Sequence, residues 1–294
     1  MIVEIINTKY GEIEYATIGA GKPIVFIPGG HTNCNVTLWH KGFDLNKFQL
    51  ITPSRPGYQN TPLNDNKTPK QAADLIIALL DYLTIDKVIL YGISAGGLTT
   101  IELASNYPER VETLILASAV SKEWFDKNGK LYKTARRMFN PKVESFVWGV
   151  IRFISELTPN LIAKSFYPAF TSNPPHKLRH DDAIELRSMF KYFSSGTGFI
   201  NDIDQNIDDD VISKIKCPTL IIHSKNDNTV PFEHALHSNE MIQNSKLVEL
   251  NNEWGHLFWI GNDSTVSIEK TLNFIETKLT QTKQEQRYHG YQGI

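Results

Sequence analysis

Gly92-Ile93-Ser94-Ala95-Gly96 stands between an apolar run ending at Tyr91 and a helical pattern beginning near Ala95. A serine framed by glycines at that junction is the pattern of a nucleophile on a sharp strand-to-helix turn. The glycines are needed because the chain passes close to itself on both sides of the serine and leaves no room for Cβ atoms. Such a turn lifts the Ser94 hydroxyl beyond the strand end and points helix N-terminal N–H groups at a reacting carbonyl. Glycine and serine also make ordinary turns, so the reading requires partners elsewhere in the chain.

A serine hydroxyl attacks poorly unless a base removes its proton. Among nine histidines, His234 and His237 fall in a predicted amphipathic helix, and His176 and His180 fall in a region without strands. Those four read as surface or packing. His256 closes the loop Asn251-Asn252-Glu253-Trp254-Gly255-His256 after a predicted strand, the edge of a parallel sheet where active-site groups gather. The base needs an acid to hold its tautomer. Asp227, in Ser224-Lys225-Asn226-Asp227-Asn228, directly follows another apolar run. An oxyanion intermediate needs two N–H donors: Ala95 supplies one, and Gly30 in Pro28-Gly29-Gly30-His31-Thr32-Asn33 the other, with His31 the second choice.

Short β-rich runs must carry these residues, and they alternate with helical patterns as in a mostly parallel sheet covered by helices. Strands are predicted at 2–6, 13–18, 23–27, 48–52, 87–91, 111–117, 218–223 and 246–250. Thr68-Pro69-Lys70-Gln71 reads as an N-cap, a first-position proline and a capping-box glutamine. Between about 120 and 205 the alternation stops, and helical patterns are broken by Pro141, Pro159, Pro168 and Pro174-Pro175. The expected organisation is an α/β core over 1–120 and 206–280, a helical lid over 121–205, and a disordered polar tail over 281–294.

The order Ser94, Asp227, His256 is the order that α/β-hydrolases use, and the chain resembles a serine hydrolase of that family over 1–120 and 210–279. Phe26-Ile27-Pro28-Gly29-Gly30 is similar to the family's oxyanion loop, and Ser54-Arg55-Pro56-Gly57-Tyr58 to its loop after the fourth strand. Tyr107-Pro108-Glu109-Arg110 and residues 218–227 resemble later blocks. The resemblance implies an eight-stranded mostly parallel sheet with strand two antiparallel, and a helical lid after strand six. Pro28 departs from a frequent histidine and Gln59 from a frequent glycine; neither touches the triad. Serine at position 94 excludes the Asp-nucleophile branches, the dehalogenases and epoxide hydrolases.

The stretch 143–157 is unusually apolar. Ligand sites are mostly apolar with a few polar groups, so Trp148 and Phe153 are expected to bind substrate together with His31. A small apolar ester or acyl substrate follows. The same triad also serves other acyl or C–C bond hydrolases and acyltransferases, and a ligand receptor can retain it. No cofactor is implied: Gly19-Ala20-Gly21-Lys22-Pro23 lacks the third glycine and following helix of a dinucleotide site, and no residue cluster has metal-ligand spacing.

The 294 residues are 41% hydrophobic and 21% charged, with 30 Lys+Arg against 32 Asp+Glu. That balance, a net −2, argues against a nucleic-acid partner. No apolar stretch approaches the length of about 20 residues that spans a bilayer. Acidic residues near the N-terminus and two separated cysteines, Cys34 and Cys217, fit a cytoplasmic protein without a disulfide framework.

Overall fold

The computed structural model describes residues 1–174 and 178–291. Its eight strands are β1 (Ile2–Thr8), β2 (Gly11–Gly19), β3 (Lys22–Ile27), β4 (Phe48–Pro53), β5 (Val88–Ile93), β6 (Val111–Ala117), β7 (Thr219–Ser224) and β8 (Ser245–Leu250). They form one sheet in the order β1-β2-β4-β3-β5-β6-β7-β8. β2 runs antiparallel to β1 and β4, and all other pairings are parallel. Every residue of β5 and β7 is buried. Strands covered on both faces need unbroken apolar runs, which is why these segments do not alternate.

The helices are α1 (Pro69–Tyr82), α2 (Gly97–Asn106), α3 (Lys130–Met138), α4 (Glu144–Leu157), α5 (Pro159–Phe170), α6 (His180–Phe190), α7 (Gly198–Asp202), α8 (Asp209–Ile212), α9 (Glu233–Met241) and α10 (Ser264–Tyr291). α1 begins with the capping box: Thr68 Oγ1 accepts from the Gln71 N–H, and Gln71 Oε1 accepts from the Thr68 N–H. Leu75, Ile76, Leu79 and Leu80 of α1 join Leu98 and Ile101 of α2 on one face of the sheet. Ile275 of α10 and the inner side chains of α4, α5 and α6 cover the other. Fully burying each such side chain contributes about 1.5–3 kcal/mol.

α3 to α8 lie between β6 and β7, where the sequence breaks its alternation. The expected disordered tail is corrected for 281–291, where α10 continues to Tyr291. Gln, Lys, Glu and Arg dominate that stretch and are good helix formers, so the helix runs on without an apolar stripe. His176 and residues 292–294 lie outside the described residues. Among the described residues no helix is long and apolar enough to cross a membrane.

Candidate active site

Ser94 directly follows β5 with a backbone φ of +50°, a left-handed conformation that disfavours a side chain. The neighbouring glycines permit it. A Cβ on Gly92 would lie 2.4 Å from Thr100 Oγ1, and one on Gly96 would lie 2.5 Å from the carbonyl oxygens of Ile27 and Pro28. The turn is therefore wedged against both α2 and the end of β3.

His256 Nε2 lies 3.1 Å from Ser94 Oγ, and His256 Nδ1 lies 2.7 Å from Asp227 Oδ2. All three side chains are buried. Asp227 Oδ1 accepts the Thr229 and Val230 N–H groups at 2.9 and 2.8 Å. Burial opposes ionisation of Asp227, but the charge of His256 and hydrogen bonds from His223 and His256 outweigh it. The carboxyl is held well below the usual range.

The Asp227 turn is pinned by the end of α5: Asn228 Nδ2 donates to Pro168 O at 2.7 Å and Thr229 Oγ1 to Ala169 O at 2.8 Å. Residues separated from the turn by about sixty positions of chain thus hold the acid in place.

The loop after β3 lies against Ser94. A Cβ on Gly29 would come within 2.8 Å of Ser94 Cβ, and one on Gly30 within 3.8 Å of Ala95 Cβ. Gly30 is thus the loop residue that lies beside Ala95. Among the described residues, neither the Gly30 nor the Ala95 N–H goes to a turn or loop carbonyl. Arg55 fixes this loop: its Nε donates to Pro28 O at 2.7 Å, while its Nη atoms grip both Asp202 oxygens at 2.7 and 2.6 Å.

Above Ser94 opens a cavity of about 450 Å³ bounded by Gly29, Gly30, Ser94 and His256 and walled by aromatic rings. Among the described residues no Lys, Arg, Asp or Glu lines it. Trp148 lines it, as expected, and so does His31. Phe153 does not: it is 67% exposed and faces solvent. α4 is apolar on two faces, and the inward one carries Trp148 and Ser155, so Phe153 is corrected from a substrate residue to an outer one.

Four groups beyond those expected from the sequence shape the site: His223, whose Nε2 is 3.1 Å from Asp227 Oδ2; Ser195, which meets both His31 and Trp148; and the Arg55–Asp202 pair. The spacing His223 to Asp227 across a strand end was a usable signal. The contacts of Ser195 and Asp202 span more than forty residues each, and no local pattern announces them.

The family described as "alpha/beta hydrolase fold" matches over residues 22–147. An uncharacterized hydrolase of Bacillus subtilis (strain 168), YcgS, is 36% identical over 281 residues, covering 94% of this chain and 99% of that one. A 2-hydroxy-6-oxo-2,4-heptadienoate hydrolase of Pseudomonas putida is 27% identical over 78% of this chain and 81% of its own length. Among solved structures, the esterase EaEST of Exiguobacterium antarcticum superposes with a TM-score of 0.69 at 22% identity, covering 94% of this chain and 100% of that one. With this sheet, this turn at Ser94 and these relatives, the chain belongs to the α/β-hydrolase family and is an enzyme that acts on small molecules.

Proposed function

We propose that the chain is a carboxylesterase-like serine hydrolase of small apolar esters, with Ser94 as nucleophile, His256 as base and Asp227 as its orienting acid. The observation that carries the reading is the chain of 3.1 and 2.7 Å contacts from Ser94 through His256 to Asp227 beneath an uncharged aromatic cavity. His256 Nε2 takes the Ser94 proton as Oγ attacks the ester carbonyl. The N–H groups of Gly30 and Ala95 receive the oxyanion, and loss of one such donor typically costs about 3–4 kcal/mol of barrier lowering. The protonated His256, steadied by Asp227, gives its proton to the departing alkoxide. A water, deprotonated by the same nitrogen, then splits the acyl-serine.

An ester is favoured over the C–C bond substrate named for the Pseudomonas putida relative, because that name contains a carboxylate and the cavity wall offers no cation among the described residues. Residues 1–120 and 206–280 form the core in this reading, and 121–205 act as a lid over the acyl pocket. Cys34 and Cys217, both free thiols, support a cytoplasmic setting.

The test is a fluorophosphonate probe followed by peptide mapping, with ester turnover measured in parallel. Adduct at Ser94, and a loss of about 10⁴-fold in kcat in a folded Ser94→Ala variant, is the expected outcome. Labelling elsewhere, or turnover undiminished in the variant, would overturn the assignment.

A further inference from the structure

His31 sits in the left-handed region at φ +62°, with its imidazole inside an aromatic cage. The ring centroids of Phe199, Phe139 and Trp148 lie 3.8, 4.3 and 5.1 Å from its own. His31 lines the cavity, and the polar side-chain partner of its imidazole is Ser195, whose Oγ lies 2.7 Å from His31 Nδ1.

The hydrogens of this contact follow from donor and acceptor chemistry. Trp148 Nε1 carries a hydrogen and can only donate, and it donates to Ser195 Oγ at 2.7 Å. Ser195 is fully buried, and its own N–H is spent on Glu144 Oε2 at 2.9 Å. Its hydroxyl hydrogen has one acceptor within reach among the described residues, His31 Nδ1. A neutral imidazole that accepts at Nδ1 must carry its proton at Nε2.

We infer that His31 Nε2–H is the specificity donor of the acyl pocket, and that the pocket selects substrates carrying a neutral acceptor oxygen, a ketone, lactone or ether oxygen, on an otherwise apolar acyl or ring portion. Nε2 has no protein partner among the described residues, it is not one of the fully buried side-chain atoms left unpaired, and His31 is among the residues that line the cavity. Burial, with the nearby Arg55 charge, pushes the imidazole down to about 3, so it stays neutral at neutral pH. A donor aimed into an apolar cavity costs stability unless a ligand or water accepts from it. No Lys or Arg lines the cavity among the described residues, and the Arg55 charge is spent on Asp202, so a neutral donor there favours a neutral oxygen over a carboxylate. The proposal rests on the hydrolase reading only for the word substrate.

Two measurements test it. Long-range proton–nitrogen correlation on ¹⁵N-histidine protein, with His31 assigned by comparison with His31→Phe, should show Nδ1 bare and Nε2 protonated at neutral pH. A protonated Nδ1 overturns the inference, and this arm needs only the native chain. Acetophenone and ethylbenzene, nearly equal in shape, are then titrated into wild type and His31→Phe. The ratio of their dissociation constants should move by about fivefold towards ethylbenzene in the variant. Ser195→Ala, which releases Nδ1, should move it the same way. An unchanged ratio overturns the inference even if esters are turned over normally. A shifted ratio without Ser94-dependent turnover of any ester would instead sink the hydrolase reading and leave the donor standing.

Discussion

His223 Nε2 lies 3.1 Å from Asp227 Oδ2, the same oxygen that faces His256 Nδ1 at 2.7 Å. One carboxylate oxygen therefore serves two imidazoles, and His223 also reaches Val230 O at 2.9 Å. Asp227 is held from its far side by a side chain that never approaches Ser94.

Asp227→Asn should lower kcat by about 10⁴-fold, because an amide cannot hold the His256 tautomer as a carboxylate does. His223→Gln should lower kcat by a smaller factor and cost about 1.5–3 kcal/mol in urea unfolding, the range for a hydrogen bond to a charged group. Equal losses from the two substitutions would show that His223 does more than hold the acid.

The two faces of α4 should behave as different materials. Trp148→Ala should cost about 3–5 kcal/mol by cavity formation and shift the preferred acyl length of aryl esters from acetate to hexanoate. Phe153→Ser, at an outward position, should stay within about 0.5 kcal/mol of wild type and leave that preference where it was. Unfolding curves and the ester series together read both effects.

Glycines offer a second contrast. Gly96→Ala drives a methyl into the carbonyls of Ile27 and Pro28, 2.5 Å away. If the loop after β3 supplies the proposed oxyanion donor, this should displace it and cut kcat by about 10²-fold or more. Gly149 lies inside α4, and a methyl added there would meet nothing within 4 Å; Gly149→Ala should raise stability by about 0.5–1 kcal/mol. Thermal melts and kcat on the two variants check the pair.

Acid should loosen the fold through three histidines that the folded chain keeps neutral. Burial pushes His31, His40 and His234 from 6.5 down to about 3, 4 and 3, with neighbouring cationic groups adding to the effect at His31 and His234. Between 6.5 and about 4 the unfolded chain binds protons that the folded chain refuses. Stability is therefore full above that window and falls as pH drops through it, by up to about 1.4 kcal/mol per pH unit for each histidine. Urea unfolding between about pH 7 and about pH 5 measures the slope, and His40→Gln should remove roughly one third of it. A slope unchanged by that substitution would count against His40.

Much of this is legible in the sequence. Ser94 is marked as a candidate because strand, glycine-flanked turn and helix are contiguous in sequence, and Asp227 and His256 because each lies in the loop that follows a strand. The eight runs of apolar residues locate the strands to within a few positions. What could not be read is phase and long-range contact. α4 is apolar on two faces, so the periodicity that marks a helix did not say whether Trp148 or Phe153 turns inward. His31 and Ser195 meet across 164 positions, a distance set by how the segment between β6 and β7 folds back on the core. The end of α10 escaped for the opposite reason: it has helix-forming residues but no stripe to betray them.

The Arg55–Asp202 pair constrains how such an enzyme can change over evolutionary time. Burial works against the Arg55 charge, and the Asp202 carboxylate more than offsets it. A guanidinium left alone there would cost about 3–5 kcal/mol, and the Pro28 carbonyl it holds would lose its anchor. Residues that merely line the cavity are free to drift towards new substrates. A transplanted segment between β6 and β7 would have to arrive with an acid facing Arg55, so the part of the chain most open to diversification carries one position that is not.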